Sequence, residues 1–331
     1  MRHVIVGGCG FTGRHLHRRL RERGEPTLVV DLPAALAAAG LPAREAHPAD
    51  LEDPPQVAAL PLGPDDVVHH LAARQFHGAV PRRGREAWFA AVNLAGTGRL
   101  LERMERAGCR RLVFFSTDMV YGLPERVPVP PDHPRRPLGP YGASKRAAED
   151  LCRAYRARGL AITIFRPRLI VGPGRLGVLA RLFGLIERGR PVPLIGDGGN
   201  RYQMVSVADC VAAVEAALAR GVPDGEFNLG SLDPPSVREL LGRVIAAAGS
   251  RSRLVPIPAR PLKAALAILG AVGLPLLHRE QYAIADVDYL VDVGPTTAAL
   301  GWRPRHDDAA MLAAAYAEFR TGRGVVPRGE G

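Results

Sequence analysis

The stretch that decides the fold is HVIVGGCGFTG, residues 3–13, near the start of the chain. Its apolar beginning, His3–Val6, predicts a buried strand, and a helix is expected over residues 12–23. Glycines 7, 10 and 13 have the GxxGxxG spacing, and glycines 8, 10 and 13 the GxGxxG spacing. Such a turn lets backbone N–H groups and a helix N-terminus approach a pyrophosphate. The residues expected to bind a dinucleotide here are Gly7, Gly10, Phe11, Thr12 and Gly13.

A carboxylate ends the second apolar run. Residues 27–30 predict a strand, and Asp31 follows it, 18 residues after Gly13. At this position a carboxylate accepts hydrogen bonds from the adenosine ribose. No basic residue comes directly after Asp31 to bind a 2′-phosphate, so the sequence predicts NAD rather than NADP. The alternative is that Asp31 caps a helix over residues 33–39.

Two later segments predict further contacts with the cofactor. One is a loop in which a carboxylate can meet the adenine amino group, and the other is a row of small residues after the strand expected over 67–70. The residues expected to contact cofactor there are Asp50, Leu51, Leu71, Ala72 and Ala73. His69 and His70 are adjacent in a strand and face opposite sides, so no metal site is predicted.

Apolar runs alternate with segments of helical period along the whole chain, which is typical of a parallel sheet covered by helices. The remaining strands are expected over residues 112–115, 162–165 and 227–229. The remaining helices are expected over residues 86–107, 141–158, 176–188, 207–220, 237–248, 262–269 and 309–320, with a proline-rich loop over 124–140. The predicted fold class is α/β, a doubly wound parallel sheet with a smaller C-terminal α/β lobe. Residues 1–170 are expected to form the nucleotide-binding domain and residues 171–331 mainly a substrate-binding lobe, with segments near 200–230 returning to the sheet.

The chain is strongly basic. Its 331 residues include 44 Lys and Arg against 33 Asp and Glu, a net charge of +11, and 47% are hydrophobic. Of the basic residues 42 are Arg, and they are scattered among acidic residues rather than interleaved with aromatic ones. A surface that binds single-stranded nucleic acid would combine both features. We therefore expect a small-molecule substrate and no nucleic-acid partner.

Cysteine usage and apolar segments bear on the compartment. The four cysteines form no CxxC pair, which indicates a reduced, cytoplasmic compartment. The first strand begins at His3, so no signal peptide is expected. The apolar run 264–277 is too short to span a bilayer, and a buried helix is favoured over a lid that touches a membrane.

Tyr141 and Lys145 open a predicted helix, and residues four apart share one helix face. A neighbouring cation favours tyrosinate, so the hydroxyl can exchange a proton with a carbinol. The chain has only one other lysine, which indicates that an ammonium is needed at this position. Ser116 and Thr117 follow the strand over 112–115 and are expected to polarise the substrate oxygen. The alternatives are a solvent-facing first turn and hydroxyls that form a turn.

Together these motifs resemble the extended short-chain dehydrogenase/reductases of the NAD-dependent epimerase/dehydratase family over nearly the whole chain. The matching positions are residues 7–13, Asp31, Asp50-Leu51, residues 70–73, Asn93, residues 116–118, 120–122 and 141–145, Arg166-Pro167, Gly172-Pro173, residues 196–198, Asp209 and residues 300–302. The resemblance implies a Rossmann domain and a proton relay through Tyr141, Lys145 and Thr117 or Ser116. It also implies that Asn93, Tyr141 and Lys145 support the cofactor, and that helices 86–107 and 141–158 form a homodimer interface.

One departure from the family pattern bears on the reaction. Dehydratases of the family carry an acidic pair after the threonine, and sugar-acid decarboxylases carry a glutamate before Val-Tyr-Gly. In this chain Asp118 is followed by Met119, which cannot protonate a leaving hydroxyl. Epimerisation or a ketone/alcohol exchange remains, with Asp118 and Met119 expected at the substrate.

The phosphate-binding positions also depart. Nucleotide-sugar members use arginines where this chain has Tyr202 and a segment near Tyr282, and Arg168, Arg175 and Arg201 are expected to replace them. The sequence thus predicts an NAD-dependent epimerase or oxidoreductase acting on a secondary hydroxyl or ketone of a nucleotide sugar or related polyol. The alternative is a 3β-hydroxysteroid-type dehydrogenase or ketone reductase with a lipophilic substrate. A third interpretation is a non-catalytic protein that senses NAD or binds nucleic acid. It does not explain why Tyr141 and Lys145 are both intact.

Overall fold

The computed structural model of the chain describes residues 1–76, 80–176, 179–271 and 276–322. Its strands in chain order are β1 His3–Val6, β2 Thr27–Asp31, β3 Ala46–Pro48, β4 Val67–His70, β5 Arg111–Phe115, β6 Ala161–Pro167, β7 Leu169–Val171, β8 Val192–Ile195, β9 Met204–Ser206, β10 Gly225–Leu229 and β11 Leu254–Ile257. Seven of them form one parallel sheet in the order β10-β6-β5-β4-β1-β2-β3. The order reverses at β1, so the ends of β1, β2 and β4 open a crevice of the kind that binds nucleotides.

The sheet is buried on both faces, which is why its strands read as continuous apolar runs. In β1, Ile5 joins one hydrophobic core, whereas Val4 and Val6 join the core on the other face. The histidines at the end of β4 follow the same alternation. His69 contacts His3 at 2.9 Å, and His70 contacts Thr97 at 2.8 Å.

Helices cover both faces of the sheet. They are α1 Phe11–Glu22, α2 Pro33–Ala39, α3 Pro54–Ala58, α4 Arg85–Ala90, α5 Thr97–Arg106, α6 Pro140–Arg156, α7 Leu179–Glu187, α8 Val207–Ala219, α9 Val237–Ala247, α10 Ala259–Ala271, α11 Arg279–Tyr282, α12 Gly294–Leu300 and α13 Asp308–Arg320. The helix expected over 86–107 is interrupted by a π-helical segment, Ala91–Gly96, between α4 and α5. This wider turn buries Asn93 against the neighbouring loop and helix, and a regular 3.6-residue period cannot reveal it.

A third hydrophobic cluster, called here the lobe core, is built from residues after β6. It joins α7, α9 and α13, and its buried members include Phe183, Leu241 and Tyr316. Two small parallel sheets, β7 with β9 and β8 with β11, lie beside it. These strands are only three or four residues long and were not expected from the sequence. Between them in the chain, α8 packs on α1 and β10 pairs with β6 in the main sheet.

The apolar run 264–277 differs from expectation in the part that the structure describes. In α10 only Leu266 is buried, and Ile268 is 65% exposed, so the expected buried helix is wrong there. Residues 272–275 of the run lie outside the described residues, as do residues 177 and 178 of the helix expected over 176–188. Among the helices that are described, none combines the length and the apolar character needed to cross a membrane.

Candidate functional site

The glycine turn packs tightly between β1 and α1. Gly7 has φ +82°, and a Cβ there would lie 2.4 Å from the backbone nitrogen of Ala72. A Cβ on Gly13 would lie 2.4 Å from the Gly7 carbonyl oxygen. Because the N-cap of α1 is Gly10, which has no side chain, no side-chain cap covers the first amides of the helix. The turn thus presents N–H groups of residues 11–13 at a helix N-terminus, as a pyrophosphate requires.

Asp31 is the last residue of β2 and reaches back to this turn. Its Oδ2 accepts a hydrogen bond from the Cys9 backbone N–H at 2.9 Å, and its Oδ1 accepts one from Leu32 N–H at 2.8 Å. The N-cap of α2 is Leu32, so the structure does not use Asp31 as the cap of that helix. The carboxylate instead borders a cleft at the carboxyl ends of the strands.

This cleft encloses about 220 Å³ and has the position expected for the adenosine half of a dinucleotide. Its walls are formed by Val6, Gly7, Val30, Asp31, Leu32, Ala49, Asp50, Leu51, Glu52, Ala72, Ala73, Arg74 and Val92. Asp50 accepts a hydrogen bond from the Glu52 backbone at 2.9 Å, which orders that wall of the cleft. Leu71 is placed differently from its neighbours, since it packs against the hydrophobic core on one face of the sheet. The donors and the space fit NAD.

Asn93 connects the cleft to the next group of residues. Its Oδ1 accepts a hydrogen bond from the Arg74 backbone N–H at 2.8 Å. Its Nδ2 donates to the Arg74 carbonyl and to the Ser144 hydroxyl, both at 3.0 Å. Asn93 is 1% exposed. It therefore holds the loop after β4 against α6, in agreement with a supporting role for the cofactor site.

Tyr141 and Lys145 lie one turn apart at the start of α6, and both are buried. The Tyr141 hydroxyl meets the Thr117 hydroxyl after β5. The Lys145 ammonium lies 4.1 Å from the centre of the Phe114 ring, and burial lowers the pKa of Lys145 to about 8. A buried lysine with this pKa changes its charge close to neutral pH.

The pKa of Tyr141 differs from the expectation. Burial raises it above its ordinary value, and the negative charges of Asp118 and Glu280 raise it further. The groups that lower it are Arg175 and the hydrogen bond with Thr117, so the cation that acts on the tyrosine is Arg175 rather than Lys145. The four-residue spacing alone could not show this, because Arg175 comes from a distant part of the chain.

The hydroxyls after β5 have different surroundings. Thr117 Oγ1 donates to Asp118 Oδ1 and accepts from the Met119 backbone N–H, both at 3.2 Å. The Ser116 hydroxyl is buried and has no hydrogen-bond partner within the described chain. Met119 borders a small space together with Glu280 and Tyr289. Two hydroxyls therefore lie at the carboxyl end of β5. That of Ser116 has no hydrogen-bond partner in the described chain, and that of Thr117 is oriented by two hydrogen bonds.

The three arginines expected at the substrate lie in three different environments. Arg168 is 2% exposed and forms an ion pair with Asp118. Arg175 donates to the Gln75 side chain at 3.1 Å and lies close enough to Tyr141 to act on its pKa. Arg201 is half-exposed and forms an ion pair with Asp288 at 2.8 Å. The structure brings Arg168 and Arg175 to the candidate site, but engages Arg201 at the surface.

Arg168 is held by more than its ion pair. Its guanidinium lies 4.5 Å from the ring centre of Tyr202 and 4.1 Å from that of Tyr289. The Tyr289 hydroxyl donates to the Asp118 carbonyl at 2.9 Å. The acid that follows Thr117 is therefore already bonded to a buried cation between two aromatic rings.

Sequence reasoning missed one residue of the site. Glu280, in α11, accepts hydrogen bonds from the backbone N–H groups of Tyr141 at 3.1 Å and Gly142 at 3.0 Å. It is 139 residues away from Tyr141 in the chain, and no motif spans that distance. Its neighbour His278 stacks on Phe76, which contacts the Tyr141 ring edge-to-face.

The fold and this site define a dinucleotide-binding α/β enzyme in which a buried tyrosine, lysine and hydroxyl group lie beside the nucleotide cleft. Comparison with known proteins gives the family. The model of the NAD dependent epimerase/dehydratase family matches residues 3–230, and the chain belongs to that family. This confirms the predicted extended short-chain dehydrogenase/reductase class, the α/β fold and NAD as the cofactor. The protein is accordingly an enzyme, as the intact Tyr141 and Lys145 indicated.

Three relatives illustrate the similarity. A dTDP-glucose 4,6-dehydratase of Streptomyces griseus is 34% identical over 262 residues, which cover 75% of this chain and 78% of that protein. The solved structure of a UDP-glucose 4-epimerase from Thermotoga maritima with UDP-glucose is 26% identical, has a TM-score of 0.78 and covers 97% of this chain and 99% of its own. That of a Thermus thermophilus UDP-glucose 4-epimerase with NAD is 28% identical, has a TM-score of 0.74 and covers 97% and 99%.

Proposed function

We propose that the protein is an NAD-dependent epimerase that inverts a secondary hydroxyl of a nucleotide sugar. The observation that carries the proposal is that Tyr141 reaches Thr117 from the start of α6, the helix that Asn93 joins to Arg74 in the wall of the cleft. The relatives solved with UDP-glucose and with NAD support this substrate class.

NAD would be held by the glycine turn at its pyrophosphate, by Asp31 and Asp50 around adenosine, and by Tyr141 and Lys145 near the reacting end. When bound, it supplies a nicotinamide ring that accepts a hydride and carries a positive charge. Tyr141 Oη takes the proton of the substrate hydroxyl when the carbinol is oxidised and returns a proton to the oxygen when the ketone is reduced. Thr117 and Ser116 orient that oxygen, and the positive charge of Arg175 favours the ionised tyrosine.

Inversion follows when the ketone presents its opposite face before the hydride is returned. An elimination would need a further acid to protonate a leaving hydroxyl. Met119 cannot supply a proton, and the Asp118 carboxylate is bonded to Arg168 and Thr117. These contacts favour epimerisation over the reaction named for the Streptomyces griseus relative.

A second candidate is oxidation or reduction of a lipophilic hydroxy compound, as in 3β-hydroxysteroid-type enzymes. The observation in its favour is that Arg168 and Arg201 are both engaged in ion pairs within the protein. Arg175, the third arginine expected to bind a diphosphate, lies at the candidate site, where its charge acts on Tyr141.

We further propose that residues 1–170 form the nucleotide-binding domain, that residues 171–331 mainly form the substrate lobe, and that segments near 200–230 return to the sheet. The lobe core and the pairing of β10 with β6 support this division. A homodimer formed through α4–α5 and α6, in the cytoplasm, is the assembly that the family resemblance favours.

The test is to incubate the protein, loaded with NAD and freed of excess cofactor, with a panel of UDP- and dTDP-sugars. Epimerisation predicts that a second sugar epimer forms until equilibrium while no free NADH accumulates. A 4-keto-6-deoxy product would show a dehydratase. Accumulation of NADH with a steroid or long-chain alcohol, and no change in any nucleotide sugar, would favour the second candidate.

A further inference from the structure

Glu280 forms the cap of the catalytic helix, although it belongs to a different part of the chain. The N-cap of α6 is Gly139, which has no side chain to accept a hydrogen bond. The Glu280 carboxylate takes that place, with Oε1 accepting from Tyr141 N–H and Oε2 from Gly142 N–H. A Cβ at position 139 would lie 2.4 Å from Glu280 Oε1, so the approach requires the glycine.

The capping carboxylate is removed from water. Glu280 is 4% exposed, and burial raises its pKa, whereas the two backbone hydrogen bonds lower it. A negative charge at a helix N-terminus is stabilised by the helix dipole and by the unpaired N–H groups. Both bonds are made at the turn that carries Tyr141, so this contact fixes the tyrosine's own backbone.

The same short segment also packs against the aromatic ring that contacts the tyrosine. His278 stacks on Phe76 with ring centres 4.6 Å apart, and Phe76 meets Tyr141 edge-to-face at 5.4 Å. Residues 278–282, which we call the docking segment, thus bond the backbone of Tyr141 through Glu280 and support its ring indirectly, through Phe76. The segment follows α10 in the C-terminal part of the chain.

We propose that Glu280 is a positioning residue. Through it the C-terminal lobe holds the Tyr141 hydroxyl in place beside Thr117 and the substrate oxygen. The inference rests on the proposed function, because it takes Tyr141 as the acid and base. Glu280 lies behind the tyrosine, on its backbone, and has no part in proton transfer itself.

Glu280 also acts on Tyr141 through its charge. The groups that face the tyrosine are Asp118 and Thr117 after β5, Arg175 after β7, Glu280 in the docking segment and Lys145 on the same helix. Among them Asp118 and Glu280 raise the pKa of Tyr141. Removal of the Glu280 charge therefore lowers that pKa, and a rate that needs tyrosinate extends to lower pH.

The test compares Glu280→Gln, Glu280→Asp and Glu280→Ala in the NAD-loaded protein. We expect Glu280→Ala to lower kcat by about 10²-fold, the loss typical of a misplaced catalytic group, with the Kd of NAD unchanged. Glu280→Gln keeps the shape but loses the charge, so the rising limb of its kcat–pH profile moves to lower pH. Glu280→Asp restores the charge, and its limb returns towards that of the wild type.

Glu239 provides a matched control, because it caps α9 in a capping box with Ser236 away from the site. Glu239→Gln is expected to leave kcat and the pH profile unchanged. A wild-type kcat and an unshifted limb in Glu280→Gln, even with lower thermal stability, would overturn the proposal. If Glu280→Ala does not fold, the limb of Glu280→Gln still decides. Failure of the proposed function would appear separately, as full turnover in Tyr141→Phe.

Discussion

The buried ion pair between Asp118 and Arg168 makes a quantitative prediction about stability. The side chains are 6% and 1% exposed, and the pair lies between the rings of Tyr202 and Tyr289. Two guanidinium nitrogens of Arg168, Nε and Nη2, have no other hydrogen-bond partner among the described residues. Asp118→Ala would therefore leave the buried Arg168 cation without its ion-pair partner.

Removing one partner of a buried ion pair costs about 3–5 kcal/mol, because the remaining charge stays desolvated. We expect this loss in the free energy of unfolding for Asp118→Ala, measured by urea denaturation followed by circular dichroism. The surface pair Arg201–Asp288, with exposures of 47% and 40%, is the matched control. Asp288→Ala should cost below about 1 kcal/mol.

The double variant Asp118→Ala/Arg168→Leu separates lost attraction from stranded charge. Because it removes the cation as well, it should recover most of the stability lost in Asp118→Ala. Equal, small losses in Asp118→Ala and Asp288→Ala would show that Asp118→Ala leaves no costly buried charge at Arg168. So would a double variant that is no more stable than Asp118→Ala.

Three further predictions concern the cofactor site and its neighbours. Asp31→Ala should weaken NAD binding by about 10- to 100-fold, because a hydrogen bond to a charged group contributes about 1.5–3 kcal/mol. The same variant should weaken NADP binding less. Equal losses of affinity for the two cofactors, measured by calorimetry, would contradict the preference for NAD. Burial lowers the pKa of Lys145 from its ordinary value of 10.5 to about 8 in the folded protein. The unfolded state therefore binds more protons between these two pH values, and stability should rise with pH there. Denaturation of Lys145→Met should show this increment missing, whereas Lys263→Met, in the half-buried pair with Asp286, should retain it. Gly13→Ala would place a Cβ 2.4 Å from the Gly7 carbonyl and 2.6 Å from Gly8 Cα, so NAD affinity should fall at least about tenfold. Gly98→Ala, whose Cβ would meet only Leu151 at 3.5 Å, should bind NAD normally.

Features set by short segments of sequence were predictable. β1 and β4 have the bounds expected from their apolar runs, and α8 and α9 end within one residue of prediction. The glycine turn and the Tyr141–Lys145 face are equally local, since each depends on spacing within one turn or one helix. In such patterns the spacing of a few consecutive residues determines their relative positions, so the family and the cofactor could be predicted from them.

Contacts between distant segments were not predictable in this way. Glu280 meets Tyr141 from 139 residues away, and Arg175 replaces Lys145 as the cation that acts on the tyrosine. Arg168 was expected to bind a phosphate, yet its partner is Asp118, which follows the neighbouring strand of the sheet. β7 and β9 have three residues each and are strands only because they pair with each other. One-dimensional periodicity contains none of these pairings.

The most direct test of the proposed chemistry is Tyr141→Phe in the NAD-loaded protein, with the Kd of NAD and the turnover of an active nucleotide sugar measured on the same sample. The phenylalanine keeps the ring and its contact with Phe76 but removes the hydroxyl that meets Thr117. If Tyr141 transfers the proton, turnover falls by about 10²- to 10⁴-fold while the Kd of NAD stays nearly unchanged. Turnover at the wild-type rate would contradict the assignment of Tyr141 as the acid and base.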